Sequence, residues 1–166
     1  MKNHLIIPLL ILSVGFCQQK KTDKPNPMKG IKTQTVIVYV YENLIRKNIS
    51  KYDSNGNKVE DSSYDSEGSL SGKSIYKYDS NRNKVEMSNY DSEGSLFWTY
   101  IYKYDSNGNM VERFFYDSDE KLDRKYIWKY NDKNRLVEII KYKYELKFGE
   151  LQQIPIQKTT YDYVEY

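Results

Sequence analysis

Cys17 and His4 are the only cysteine and the only histidine in a chain of 166 residues. Their positions decide which chemistries the chain can run. Both belong to the first seventeen residues, and His4 lies in a segment expected to be cleaved, leaving a mature chain without imidazole. A serine–histidine–aspartate triad, a cysteine–histidine pair and a histidine-ligated zinc or iron site then have no members to draw on. A lone cysteine forms no intrachain disulfide. Carboxylates are plentiful, with 23 Asp plus Glu, but they recur in turns, which favours a solvated turn role over paired acid–base work of the glycosidase kind. The DSNGN turns also lack the ligand spacing of a calcium loop. No catalytic residue, metal site or cofactor is read from the sequence. What remains for surface chemistry is aromatic. Trp98, Tyr100 and Trp128 are candidates for stacking on sugars, against a packing role, which aromatic residues in strands more commonly play.

The segment that holds Cys17 reads as an export signal. Residues 1–17 are MKNHLIIPLLILSVGFC, with Lys2 as the positive end and an apolar run from Leu5 to Val14. That run suits the hydrophobic core of a signal peptide and is too short to span a bilayer. It ends at Val14-Gly15-Phe16-Cys17, which resembles the lipobox of bacterial lipoproteins. Phe16 departs from that pattern, since a small residue usually precedes the cysteine. The resemblance implies that Cys17 is acylated and becomes the new N-terminus, anchoring the chain in a membrane. Gln18 is not an acidic retention signal, which by the same resemblance implies the outer membrane. Residues 18–35 are polar with two prolines and read as a tether.

Formal net charge is +3, too balanced to argue for nucleic acid as a partner. The chain has 18 tyrosines and no alanine, a composition that leans towards strand. Its body, residues 36–166, is a tandem repeat. KYDSNGNKVE at Lys51, KYDSNRNKVE at Lys77 and KYDSNGNMVE at Lys103 open copies spanning 51–76, 77–102 and 103–128, and KYNDKNRLVE opens a degraded copy over 129–144. Each full copy holds a second turn, YDSEGSL at Tyr64 and Tyr90 and YDSDEKL at Tyr116. Tyrosines of this kind fall at 52, 64, 78, 90, 104, 116 and 130, so their spacing alternates 12 and 14. A fixed period is the mark of repeat architecture.

The turn chemistry is legible. Asp53, Asp65, Asp79, Asp91 and Asp105 suit the first position of a type I turn. Gly56, Gly68, Gly94 and Gly108 suit the left-handed position that closes a bulged hairpin, whereas Arg82 and Glu120 stand there at a cost of about 1 kcal/mol each. Connections this short force antiparallel neighbours. The predicted fold is all-β: an antiparallel meander of tandem hairpins in one twisted or curled sheet, with residues 136–166 as a cap. Counting outward from the turns pairs Tyr64 with Leu70, Asp61 with Lys73 and Val59 with Ile75. The later copies repeat this as Tyr90 with Leu96, Val85 with Ile101, Tyr116 with Leu122 and Val111 with Ile127. That count puts Leu70, Leu96 and Leu122 on an aromatic face with Tyr76, Trp98, Tyr100 and Trp128, and a Val/Ile stripe on the other. The aromatic face needs cover, so the sheet is expected to wrap it inward or to lay it on a partner.

The pairs Tyr52-Asp53 with Gly56-Asn57, and Tyr64-Asp65 with Gly68, resemble the YD repeat of the RHS family over residues 51–134. In that family such repeats build long β-sheet shells around a toxin or stalks on cell surfaces. The motif implies a fold unit and brings no active site. Three and a half copies are too few to enclose a cargo. The expected function is that of a lipid-anchored envelope protein whose sheet binds or scaffolds, with an unidentified protein or polysaccharide as partner. A structural envelope protein that pairs through its sheet edges is the alternative.

Overall fold

The computed structural model describes residues 26–40 and 42–165. Cys17, the apolar run before it and residues 18–25 lie outside the described residues. Ten strands form one open antiparallel sheet in the order of the sequence. They are β1 (Thr33–Val40), β2 (Asn43–Tyr52), β3 (Lys58–Tyr64), β4 (Leu70–Tyr78), β5 (Lys84–Tyr90), β6 (Leu96–Tyr104), β7 (Met110–Tyr116), β8 (Leu122–Tyr130), β9 (Leu136–Lys147) and β10 (Glu150–Thr160). Among the described residues there is no helix. The fold class read from the turns is the one observed.

Each repeat turn is built by its aspartate. In the first, Gly56 N–H donates to the Asp53 carbonyl at 3.0 Å and Asp53 N–H donates to the Asn57 carbonyl at 2.9 Å. The Asp53 carboxylate accepts the N–H groups of Asn55 and Asn57 at 2.9 and 2.8 Å. Asp65, Asp79, Asp91, Asp105 and Asp117 repeat the arrangement, as does Asn131 with its amide oxygen. An Asx side chain that satisfies two turn amides removes their cost and fixes the reversal. Arg82 and Glu120 do adopt the left-handed conformation, with φ of 68° and 58°.

The register differs from the sequence count by one residue on every strand of the repeat. Tyr64 faces Leu70 as expected, but the next pair is Ser63 with Gly72, which leaves Ser71 without a partner. Ile75 therefore meets Glu60, not Val59, and Lys73 meets Ser62, not Asp61. Phe97 and Asp123 are extra residues in the same way. So are Val59, Val85, Val111 and Val137 at the other end of the hairpins. Val85 and Val111 accordingly lose the partners counted for them: Ile101 faces Glu86 and Ile127 faces Glu112. A one-residue bulge sets two residues against one and reverses the alternation beyond it. Leu70, Leu96 and Leu122 thus leave the aromatic face and join Tyr64, Tyr90, Tyr116 and the isoleucines.

The sheet does not wrap the aromatic face. Every strand meets only its neighbours in sequence, so the layer stays open and single. Trp128, at 5% exposure, is the one buried large hydrophobic side chain among the described residues.

Both ends of the repeat are closed by chain that the turn motif does not cover. Residues 26–32, part of the segment read as tether, dock on the first turn, and 33–35 already belong to β1. Asn26 donates its side-chain amide to the Gly56 carbonyl at 2.8 Å, and Tyr52 N–H donates to the Lys32 carbonyl at 3.0 Å. At the far end Tyr161 N–H donates to the Val137 carbonyl at 2.9 Å, and Glu165 pairs with Lys133 and Arg135.

This docking separates two glycines of like conformation. A Cβ on Gly56 would lie 2.6 Å from the Lys29 nitrogen and 2.7 Å from the Met28 carbonyl carbon, whereas one on Gly68 meets nothing within 4 Å. Gly68→Ala is expected to cost about 1 kcal/mol from φ strain alone. Gly56→Ala is expected to cost about 3 kcal/mol, because backbone atoms must also move. Glu120→Gly relieves the strain and should stabilise by up to about 1 kcal/mol. Urea unfolding midpoints check the order; equal midpoints for the two alanine variants would refute the docking.

Candidate functional site

The two faces of the sheet solve the same problem with different chemistry. Opposite pairs place Lys51 by Glu60, Lys77 by Glu86, Lys103 by Glu112 and Lys129 by Glu138 on the isoleucine face. Their ammonium-to-carboxylate distances are 2.9, 2.8, 3.0 and 2.6 Å. Glu112 also takes Lys125, and Glu138 also takes Lys158. Lys51 holds the Glu60 carboxyl below its ordinary range, and Lys129 with Lys158 does the same for Glu138. Each pair stands nine residues apart in every copy, a signal that becomes readable only once the bulge is known. The exposed lysines of such pairs add little stability singly, but a row of them tiles the face.

The aromatic face carries rings in files along the strands. Tyr78, Tyr104 and Tyr130, each next to the lysine that opens a later copy, donate their hydroxyls to the carbonyls of Lys58, Lys84 and Met110 at 2.9, 2.9 and 3.1 Å. The β3–β4 ladder ends at Glu60 and Ile75, so the Lys58 carbonyl lies past its last pair. The tyrosine hydroxyl supplies the missing donor, and each copy is stapled to the one before. Tyr163 donates to the Leu136 carbonyl at 2.8 Å and completes the series at the C-terminal end. Burial pushes the hydroxyl groups of Tyr102 and Tyr104 up to about 12.

The three candidate stacking residues lie on this face in different states. Trp98 and Tyr100 meet edge to face with ring centres 5.0 Å apart, and Tyr100 lies 5.2 Å from Phe115. Trp128 stacks on Tyr126 at 5.9 Å, and the Arg113 guanidinium sits over it at 5.5 Å. The buried, covered ring of Trp128 offers no free surface, whereas Trp98 and Tyr100 are half-buried. Arg113 also lies 4.3 Å from the Tyr126 ring and 4.9 Å from the Tyr100 ring. Arg113 Nε and Trp128 Nε1 are buried donors with no acceptor among the described residues.

The face is graded along the repeats. Gly72 and Ser74 stand where the second copy has Trp98 and Tyr100 and the third has Arg124 and Tyr126. Small residues there open a shallow trough of about 430 Å³ lined by Asp61, Ser63, Gly72, Ser74, Asn89 and Phe97, among others. Asn89 donates to Ser74 Oγ at 3.1 Å across its floor. Phe97, the extra residue of β6, is 64% exposed at its rim. Hydroxyl, amide and carboxylate groups beside an exposed ring are the usual furniture of a sugar site. The sequence count missed this trough because the bulge had displaced Phe97. It missed Arg113 because the first two copies carry Asp61 and Met87 at that place. Among the described residues no group of acids, histidines or cysteines could hold a metal ion, and no helix is long and apolar enough to cross a membrane.

No family model matches the chain, and no curated protein matches it. Among solved structures it is similar to a protein of unknown function from Bacteroides fragilis, at 14% identity and a TM-score of 0.45, over 78% of this chain and 92% of that one. It is also similar to a DUF3836 family protein from Bacteroides vulgatus, at 20% identity and a TM-score of 0.38, over 54% and 98%. A weaker likeness is to TcdB2-TccC3, at 13% identity and a TM-score of 0.35, over 66% of this chain and 7% of that one.

The raised tyrosines give a pH prediction. An unfolded tyrosine loses its proton near 10.0, and folded Tyr102 and Tyr104 keep theirs to about 12. The folded state holds more protons between those values, so stability is intact below pH 10 and falls as pH rises towards 12. The urea midpoint should drop across that window, and drop less in the double variant Tyr102→Phe, Tyr104→Phe. An identical alkaline profile for the double variant would refute the assignment. Tyr104→Phe also removes a hydroxyl donor from a backbone carbonyl and should cost about 1 kcal/mol at neutral pH.

Proposed function

We propose that this chain is a lipid-anchored, YD-repeat-like lipoprotein of the bacterial cell envelope that binds a partner on its aromatic face. Contact, not bond-breaking, is its work. The observation that carries the reading is an open layer whose rings are left half-buried beside a polar trough. Nothing in the described chain covers that face, and a face of this kind is the default site of recognition. The export-type leader, Cys17 at its end and the polar segment after it support anchoring, with the outer membrane favoured by Gln18. A saccharide is the ligand the trough suits best. A glycan array probed with the full chain in detergent micelles is expected to retain glycans, and Trp98→Ala to weaken them roughly tenfold through loss of ring contact. An array that retains nothing would overturn the saccharide reading.

Edge pairing is the second reading, and β1 is what favours it. Val36, Ile37, Tyr39 and Val40 are 46–59% exposed on an outermost strand. The opposite edge is blunted by Pro155 and by the irregular register at Ile156, devices that discourage pairing. A β1–β1 dimer is thus the contact that closes without growing into a fibre. Light scattering over a dilution series is expected to show a dimer that Ile37→Lys dissociates; a strict monomer at all concentrations would remove this reading.

A further inference from the structure

Across β4 to β9 the aromatic face carries one line in which rings and cations alternate: Tyr76, Lys84, Tyr102, Arg113, Tyr126 and Lys141. Lys84 Nζ lies 5.6 Å from the Tyr76 ring and 5.1 Å from the Tyr102 ring. Arg113 is directly opposite both Tyr102 and Tyr126, and Tyr126 is directly opposite Lys141. The Lys141 ammonium lies 5.5 Å from the Tyr126 ring. From Tyr102 to Lys141 the line runs straight across the strands; Lys84, which stands opposite Tyr78, joins it through the rings of Tyr76 and Tyr102.

Its charge is uncompensated. None of Lys84, Arg113 and Lys141 belongs to an ion pair among the described residues, while four glutamates of the opposite face hold six lysines. On that opposite face Lys47 and Lys73 lie over Tyr64 and Tyr90, and Lys103 and Lys125 flank Phe114 at 5.0 Å, but the last two are both paired with Glu112. Burial, and then the charge of Arg113, depresses the Lys84 ammonium below its ordinary range. Rings moderate the like-charge repulsion along the row without cancelling it, so a bound anion would relieve it.

The spacing narrows the anion. Lys84, Arg113 and Lys141 lie on β5, β7 and β9, every second strand, so successive charges stand roughly 9.6 Å apart. A chain of pyranose rings with an acid on every second sugar has charges on that length scale and an apolar ring face between them. The row has the same order: charge, ring, charge. We infer that this row binds an extended acidic polysaccharide, laid across the strands with its carboxylates on Lys84, Arg113 and Lys141. The inference rests on the binding-platform reading above and names its ligand class. Single-stranded nucleic acid also uses interleaved rings and cations, but its phosphates repeat on a shorter length, and the leader of this chain directs it to the envelope.

The test is affinity measurement with the full chain in detergent micelles against hyaluronate, which carries an acid on every second sugar, dextran and poly(dT). Hyaluronate is expected to bind, more weakly as sodium chloride is raised. Arg113→Met and Lys141→Met should each lower that affinity about tenfold, the loss of one charge-assisted contact. Lys77→Met removes the same charge from the opposite face and should change it by less than about twofold. Should Arg113→Met fail to fold, Lys84→Met and Lys141→Met decide, since both can be checked by circular dichroism. Equal losses in Lys77→Met and Lys141→Met, tighter binding of poly(dT), or no binding of hyaluronate each overturn the inference. Dextran retained and lost on Trp98→Ala, with hyaluronate not retained, leaves the platform standing and sinks only the acidic ligand. Retention of neither polymer sinks both.

Discussion

A sheet one layer thick must find its stability along its own surface. Among the described residues no second layer lies over either face, so a side chain can be buried only by its cross-strand and same-strand neighbours. Among the described residues that limit is nearly absolute: Trp128 alone of the large hydrophobic side chains is buried. Such a layer cannot rely on a core. It relies on rows, with lysine against glutamate on one face and tyrosine against cation on the other. Each row is extended by one member per repeat.

The same limit explains the tyrosines. A ring covers more of a bare sheet than an aliphatic side chain does, and its hydroxyl can still reach a polar partner. Tyr78, Tyr104 and Tyr130 use both properties, covering the layer and donating to carbonyls past the end of a ladder. An open array also needs ends that do not invite another repeat. Asn26 on the first turn and Tyr163 on the last supply the contacts that a preceding or following copy would have made.

The aromatic face gains its individuality from departures within the repeat. Identical copies would make a uniform surface. Gly72 and Ser74 hollow one end, Trp98 and Tyr100 raise the middle, and Arg113 takes a place that Met87 and Asp61 hold elsewhere. The opposite face keeps its Lys–Glu pairs through all four copies. Invariance on one side and variation on the other is what a structural face and a contact face look like in a repeat protein.

Turn chemistry acts over five residues, so the reversals of the repeat, the antiparallel order of its strands and the 26-residue period were all determined by the sequence alone. Asp53 finds its amide partners wherever the rest of the chain goes, and Glu120 is forced left-handed by its place in the motif. Register and facing were decided by the tertiary structure. A bulge at Ser71, Phe97, Asp123 or a repeat valine needs no glycine and leaves no mark in composition, because it arises from how two strands share their hydrogen bonds. That one residue moved Leu70, Leu96 and Leu122 across the sheet, set each glutamate beside its lysine and brought Arg113 between Tyr102 and Tyr126.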